Sequence, residues 1–211
     1  MAVINEDRRE AVLKLVYCGT ALGGKTSNLN HIHGALPSDK RGDMVSLATA
    51  ADRTLFFDFL PVNAVEICGY QVKFQLYTVP GQIVYNATRQ LVLKGVDGIV
   101  FVADSDERRL EENAESLRFT EQNLKDNGVE PTQLPTVLQY NKRDLPNAAP
   151  IENLRYLLNR GLVPRPEFES VATEGHQVFS TMDALTQLVL QRFESFVTQE
   201  GAKSGSKVAA S

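Results

Sequence analysis

Gly19-Thr20-Ala21-Leu22-Gly23-Gly24-Lys25-Thr26 satisfies the pattern GxxxxGK followed by Ser or Thr, and these residue types at this spacing suit the binding of phosphate. Glycines let the backbone curl so that successive N–H groups point at phosphate oxygens. The N-terminus of a following helix adds partial positive charge, and Lys25 adds a full one. The Thr26 hydroxyl is a hard oxygen ligand of the kind Mg²⁺ takes. A glycine-rich turn with no ligand is the competing reading. Placement argues against it, because the loop falls between an apolar run, Ala11 to Cys18, and a helix-length segment that begins at Lys25.

Triphosphates are alike at the phosphate end, so the loop does not choose between ATP and GTP. Asn141-Lys142-Arg143-Asp144 follows the apolar run TVLQY in the pattern NKxD. A carboxylate at Asp144 accepts two hydrogen bonds from the N–H groups on the edge of guanine, whereas adenine would leave it unpaired. Lys142 can lay its aliphatic stem along the base, and Asn141 is expected to tie this loop to the phosphate loop. Alone, the tetrapeptide is equally well read as a solvated loop at a strand end. More than a hundred residues after a phosphate loop, on a later strand, it becomes a strong signal.

These residues need a scaffold, and the patterning supplies one. Ala11 to Cys18 reads as a buried strand. The polar stretch LPSDKRGDMVS, with Pro37 and Gly42, reads as a mobile loop that feeds an outer strand near Leu55 to Leu60. Val72, Phe74 and Leu76 alternate onto one face of residues 71–77, and Cys68-Gly69-Tyr70 before them reads as a hairpin turn. GIVFVAD (98–104) and TVLQYNK (136–142) are short apolar runs, each followed by a polar loop and helix-length sequence. Leu110, Ala114, Leu117 and Leu124 mark a helical stripe that ends at Asn127-Gly128. Met182, Leu185, Val189, Phe193 and Phe196 mark the last helix, with Ser180 or Thr181 as its cap. The expected fold is α/β: a single domain over residues 1–200, a mostly parallel sheet with one antiparallel strand, and helices on both faces. Residues 201–211, small and polar, are expected to be a disordered tail. Ligands belong at the carboxyl ends of the strands.

Composition narrows the partners. Of 211 residues 43% are hydrophobic, which suits one compact core. A formal charge of -4 provides no overall positive field for nucleic acid or an anionic bilayer. Two cysteines, Cys18 and Cys68, fit a reducing compartment better than a disulfide framework, so the chain is expected to be cytoplasmic. No apolar run approaches the ~20 residues needed to span a bilayer. Ala2 stands where myristoylation needs glycine, and the end KSGSKVAAS has no cysteine for prenylation, so no lipid anchor is expected.

With these motifs in place, the chain resembles the Ras-like small GTPases, and within them the bacterial MglA (mutual gliding) group, over about residues 8–198. The most specific feature is Thr78-Val79-Pro80-Gly81-Gln82, where the superfamily normally begins with aspartate, in DxxGQ, and this group has TVPGQ. DRTLFFDFLP (52–61), LKGVDGIVFVADS (93–105) and QYNKRDLPNA (139–148) also resemble that group. The resemblance implies a Ras-like P-loop GTPase domain and a switch that cycles between GTP and GDP, hydrolysing GTP to GDP and phosphate with Mg²⁺. It implies control of cell polarity and gliding motility through nucleotide-dependent effectors, concentration at a cell pole when GTP-bound, and a roadblock-domain GTPase-activating partner of the MglB type.

Carried over by position, Gly81 would meet the γ-phosphate through its N–H, and Gln82 would orient the attacking water. Thr54 is the second Mg²⁺ threonine beside Thr26. Arg53 resembles an arginine finger supplied in cis, a device worth about 10³–10⁵ in rate; without the resemblance it would read as an ordinary surface arginine. Ala172 in ESVAT matches the position whose N–H reaches the guanine carbonyl. Two residues depart from the Ras pattern. Thr78 replaces an aspartate that holds a Mg²⁺-bound water, which implies weaker retention of the ion. Ala21 stands where glycine is usual, and its methyl would crowd Gln82 or Arg53 as the transition state forms. Slow intrinsic hydrolysis follows, and the alternative is a largely GTP-locked, hydrolysis-impaired scaffold gated by nucleotide. A P-loop small-molecule kinase is disfavoured because NKRD and PGQ would have no work in it.

Weaker signals have plainer readings. His31 and His33 lie two apart on a helix and, with His176, make no metal cluster by spacing. Cys18 reads as a small buried hydrophobe. Asp97, Asp104 and Asp106 read as solvated or capping residues, and the charged stretch Glu107 to Glu115 as a wet helix face.

Overall fold

The computed structural model describes residues 3–47, 57–80, 86–161 and 163–208. Among the described residues eight strands and five α-helices follow one another: β1 (Val3–Asn5), β2 (Glu10–Gly19), α1 (Lys25–Ala35), β3 (Val45–Leu47), β4 (Phe57–Ile67), β5 (Tyr70–Thr78), α2 (Asn86–Leu93), β6 (Gly98–Asp104), α3 (Leu110–Asp126), β7 (Thr136–Asn141), α4 (Ile151–Leu158), β8 (Glu167–Ser170) and α5 (Val178–Val208). They form one sheet in the order β3-β4-β5-β2-β6-β7-β8. β5, β2, β6, β7 and β8 are mutually parallel, so their carboxyl ends share one edge. Register brings Tyr17 beside Thr78, Gly19 beside Val102, and Asn141 between Asp104 and Ser170. The two motifs therefore meet along this edge.

The period-2 alternation of β2 divides its side chains between two cores. Leu13, Leu15 and Tyr17 pack with Leu29 and Ile32 of α1 and with Leu185, Val189 and Phe193 of α5. Val16 and Cys18 face the other way, towards Val92 and Leu93 of α2, Leu124 of α3, and Leu154 and Leu158 of α4. Helices thus cover both faces, and all seven residues of β6 are buried, as in a central strand of a parallel sheet.

The expected hairpin joins β4 to β5 as an antiparallel pair through Cys68 (φ 50°) and Gly69 (φ 76°), the two positive-φ residues of a tight hairpin turn. The structure adds two short antiparallel strands. β3 pairs with β4, which removes β4 from the sheet edge, and β1 pairs with residues 10–12 of β2. Both span three residues, too few for periodicity to reveal. α3 ends as anticipated: Gly128 takes φ 74°, its N–H reaches the Lys125 carbonyl, and the Val129 N–H reaches that of Leu124. The last helix begins earlier than expected. Gln177, at φ 57°, stands before Val178, and the Thr181 hydroxyl donates to the Gln177 carbonyl instead of capping N–H groups. α5 continues to Val208, into the segment expected to be a tail, since extending a formed helix adds one hydrogen bond per residue.

Candidate nucleotide-binding site

The loop after β2 is tightly specified. A β-carbon at Gly19 would lie 2.0 Å from the Val102 carbonyl oxygen, and one at Gly24 would lie 2.0 Å from Asn141 Nδ2. Both glycines also have positive φ, 133° and 102°, so both steric room and backbone conformation favour glycine there. Leu22 takes φ 59° without being glycine, a conformation that costs a branched residue roughly 1–2 kcal/mol, and its side chain is 84% exposed at the lip of the loop. Lys25, buried at the start of α1, donates from Nζ to the carbonyls of Gly19 at 3.1 Å and Thr20 at 2.5 Å. The ammonium is thereby held inside the curl of the loop. Thr26 is exposed beside it on the first turn of α1.

Asn141 joins the phosphate loop to the base loops. Its Nδ2 donates to the Gly23 carbonyl at 2.8 Å, while its Oδ1 accepts from the Ala172 N–H at 2.8 Å and from the Ser170 hydroxyl at 3.1 Å. The first contact is the tie expected from the NKxD pattern. The second brings Ala172 into the same constellation. After Asn141 the chain turns through Lys142 at φ 67°. Arg143 anchors the turn from below: its N–H reaches the Ser170 carbonyl, Nη1 the Ala149 carbonyl and Nε the Glu169 carboxylate. Asp144 is left exposed, with its carboxylate available at the outer end of the site.

Lys142 is held by a residue that was expected to be solvated or capping. Asp104 is 3% exposed and accepts from Lys142 Nζ at 2.7 Å and from the Asp106 N–H at 3.0 Å. Asp106 is the residue that caps, accepting from the Arg108 N–H, while the register of β6 with β7 buries Asp104 under the lysine. Asp97 caps no helix either: it accepts from the N–H of Lys14 in β2 at 2.9 Å, and burial pushes its carboxyl above the usual range.

The beginning of α3 supports the phosphate loop, a role that escaped the sequence reading. Asn113 clasps the Asp104 backbone in both directions, Oδ1 accepting from N–H at 2.9 Å and Nδ2 donating to the carbonyl at 2.8 Å, and the Thr20 hydroxyl reaches its Oδ1 at 3.5 Å. Arg109 leaves the charged, solvated face on which it was expected and donates from Nη2 to the Ala21 carbonyl at 2.7 Å, with Glu112 as its second partner at 2.9 Å. Under α1, Asn28 and Gln139 exchange two amide hydrogen bonds, at 2.8 and 3.0 Å, and Thr181 adds a third contact to Gln139. Thr78 is buried at the end of β5, two residues before Pro80, whose carbonyl accepts from the fully buried Arg89 of α2 at 3.1 Å. Cys18, beneath the loop, has its thiol pushed up to about 12 by burial, as suits an inert core residue.

The expected catalytic residues Arg53 and Gln82, together with Thr54 and Gly81, lie outside the described residues. Of the two threonines expected to hold Mg²⁺, Thr26 is exposed on the first turn of α1, and Thr54 lies outside the described residues. Among the described residues no group of three His, Cys, Asp or Glu side chains could hold a metal. A few hard oxygens beside a phosphate cradle fit Mg²⁺, which completes its shell with phosphate oxygens and water.

Comparison with known proteins agrees with this geometry. A sequence profile of the ADP-ribosylation factor family matches residues 56–190. The chain is 50% identical over 190 residues to the mutual gliding-motility protein MglA of Myxococcus xanthus (strain DK1622), an alignment that covers 90% of this chain and 96% of that protein.

Proposed function

Because this chain belongs to the ADP-ribosylation factor family of Ras-like GTPases, and within it to the MglA type, we propose that its GTPase site serves as a timed switch for cell polarity and gliding motility. In this reading GTP and Mg²⁺ order residues about 40–56 and 78–90 around the γ-phosphate. Effectors bind that ordered surface, hydrolysis to GDP releases it, and a roadblock-domain activator of the MglB type sets the rate. The active form acts in the cytoplasm and gathers at a cell pole.

The observation that carries the reading is the position of Asn141. It fastens the loop at Gly23 to the loop at Ala172, which supports a reading in which the phosphate and base ends of one nucleotide are held at a fixed separation. Gly19 to Thr26 wrap the phosphates, Lys25 supplies the charge, and Asp144 selects guanine. Lys142 lines the base, and the Ala172 N–H faces its carbonyl. Thr26 and Thr54 would hold Mg²⁺, with Thr78 beside them, and the ion neutralises charge on the phosphates. Arg53 and Gln82, next to Gly81, act on the γ-phosphate and the attacking water.

Calorimetry with GTP and with ATP, each with Mg²⁺, tests the base assignment. Binding of GTP alone is expected, and Asp144→Asn should remove that preference. ATP bound as tightly as GTP, or a preference unchanged in the variant, would overturn it.

A second reading rests on Ala21, whose carbonyl is pinned by Arg109. A methyl on so constrained a loop cannot swing away from an arriving Gln82 or Arg53. The protein would then persist in its GTP form as a nucleotide-gated scaffold.

A further inference from the structure

We propose that Arg109 is a positioning residue that holds the Ala21–Leu22 peptide in the orientation that binds phosphate. The inference rests on the nucleotide reading of the site. The Arg109 guanidinium donates to the Ala21 carbonyl at 2.7 Å from the α3 side of the loop. In a planar trans peptide the N–H opposes the C=O, so the Leu22 N–H is turned off α3 and towards the inside of the loop. That is the direction in which a phosphate-binding loop presents its donors.

Leu22 gives Arg109 its importance. At φ 59° it occupies a left-handed conformation that leucine disfavours. Rotating the Ala21–Leu22 peptide would return Leu22 to negative φ, but it would also replace an inward N–H with an inward carbonyl oxygen. Such a carbonyl repels phosphate. Arg109 opposes the rotation by holding the carbonyl outward.

The arginine is itself held in place. Glu112, three residues on along α3, pairs with it at 2.9 Å. Asn113 fixes the same turn of the helix to the Asp104 backbone and contacts Thr20, the residue before Ala21. Arg109 Nε is buried without a hydrogen-bond partner among the described residues, a cost accepted where the guanidinium is committed to the loop. Both contacts leave one nitrogen, Nη2, at the far end of the side chain, and a lysine, whose ammonium ends one bond nearer the backbone, falls short of the Ala21 carbonyl.

Release of a fluorescent GDP analogue from the full chain reads the effect without requiring hydrolysis. Arg109→Met keeps the aliphatic stem and removes the donors; loss of a charge-assisted hydrogen bond predicts release about tenfold faster than wild type. Leu22→Gly removes the preference for negative φ, so the double variant should return to within about threefold. Arg109→Lys should release faster than wild type as well, and it stands in as the second variant should Arg109→Met not fold. Arg108→Ala, which removes the neighbouring arginine paired with Asp106, is the control expected to match wild type.

Three results would overturn the proposal: release from Arg109→Met within twofold of wild type, a loss that Leu22→Gly does not reduce, or full recovery by lysine, which would assign the effect to charge alone. A wild-type chain that fails to bind guanine nucleotide would instead overturn the proposed function, so the two failures are distinguishable.

Discussion

Lys142 and Asp104 form an ion pair of 2.7 Å across the carboxyl ends of β7 and β6, with the aspartate almost wholly buried and the lysine about one-third exposed. The pair fixes the direction of a side chain whose stem is to lie along the base. Asp104→Asn keeps the shape and removes the charge. Because the lysine head remains partly solvated, the cost falls below the 3–5 kcal/mol of a fully buried broken pair, at about 1–2 kcal/mol. Urea unfolding should show that loss, and GTP affinity should fall with it. Unchanged affinity would mean that Lys142 needs no positioning.

Asn141→Ala leaves the Gly23 carbonyl and the Ala172 N–H without the partner that joins them. Two buried groups losing their hydrogen bonds predict destabilisation of about 2–4 kcal/mol. Affinity for guanosine alone and for GTP should both fall, since the residue serves both ends of the nucleotide. A variant that loses only phosphate binding would show that the base loop stands without it.

The edge of the sheet was legible in the sequence because apolar runs end where the chemistry begins. GIVFVAD coincides with β6, and TVLQY leads directly into Asn141. α3 was less legible. The stripe of Leu110, Ala114, Leu117 and Leu124 finds the helix, yet its most deeply buried line is Asn113, Ser116, Thr120, Asn123 and Leu124. A polar residue facing a strand end looks like a solvated one until its partner is known. For Asn113 that partner is the Asp104 backbone. Arg109 was hidden similarly, among Glu107, Arg108, Glu111 and Glu112, because a carbonyl acceptor 88 residues away leaves no local pattern. Arg53 and Gln82 rest on resemblance, since neither lies among the described residues.

The two thiols should behave oppositely. Cys18 is fully buried and its thiol is pushed up to about 12, while Cys68 is exposed in the hairpin turn. A thiol reagent at pH 8 should modify one group in the native protein and both in denaturant. The raised value also sets a pH dependence. Below about pH 9 the thiol is protonated in both folded and unfolded chains; above it the unfolded chain releases the proton first, so stability declines as pH rises towards about 12. Cys18→Ala should flatten that decline, and an unaltered alkaline curve would refute the assignment.

Arg53→Ala and Gln82→Leu separate catalysis from binding. If Arg53 neutralises charge on the transferring phosphoryl group and Gln82 orients water, each variant should keep its GTP affinity while activator-stimulated turnover falls. For a finger arginine the fall is about 10³–10⁵. Single-turnover hydrolysis with and without a roadblock-type partner measures this directly. Unchanged turnover in either variant removes that residue from the mechanism.

Ala21→Gly decides between a timed switch and a locked scaffold. Arg109 holds the Ala21 carbonyl, so the methyl keeps a fixed position on the loop and any crowding of the transition state persists throughout turnover. Glycine removes the methyl while keeping that carbonyl for Arg109. Were the natural residue an impediment, each 1.4 kcal/mol of relieved crowding would speed activator-stimulated hydrolysis about tenfold. A rise of that size, at unchanged GTP affinity, would favour the scaffold reading. Turnover within about twofold of the natural chain would show that the transition state already accommodates Ala21, leaving the ordinary switch.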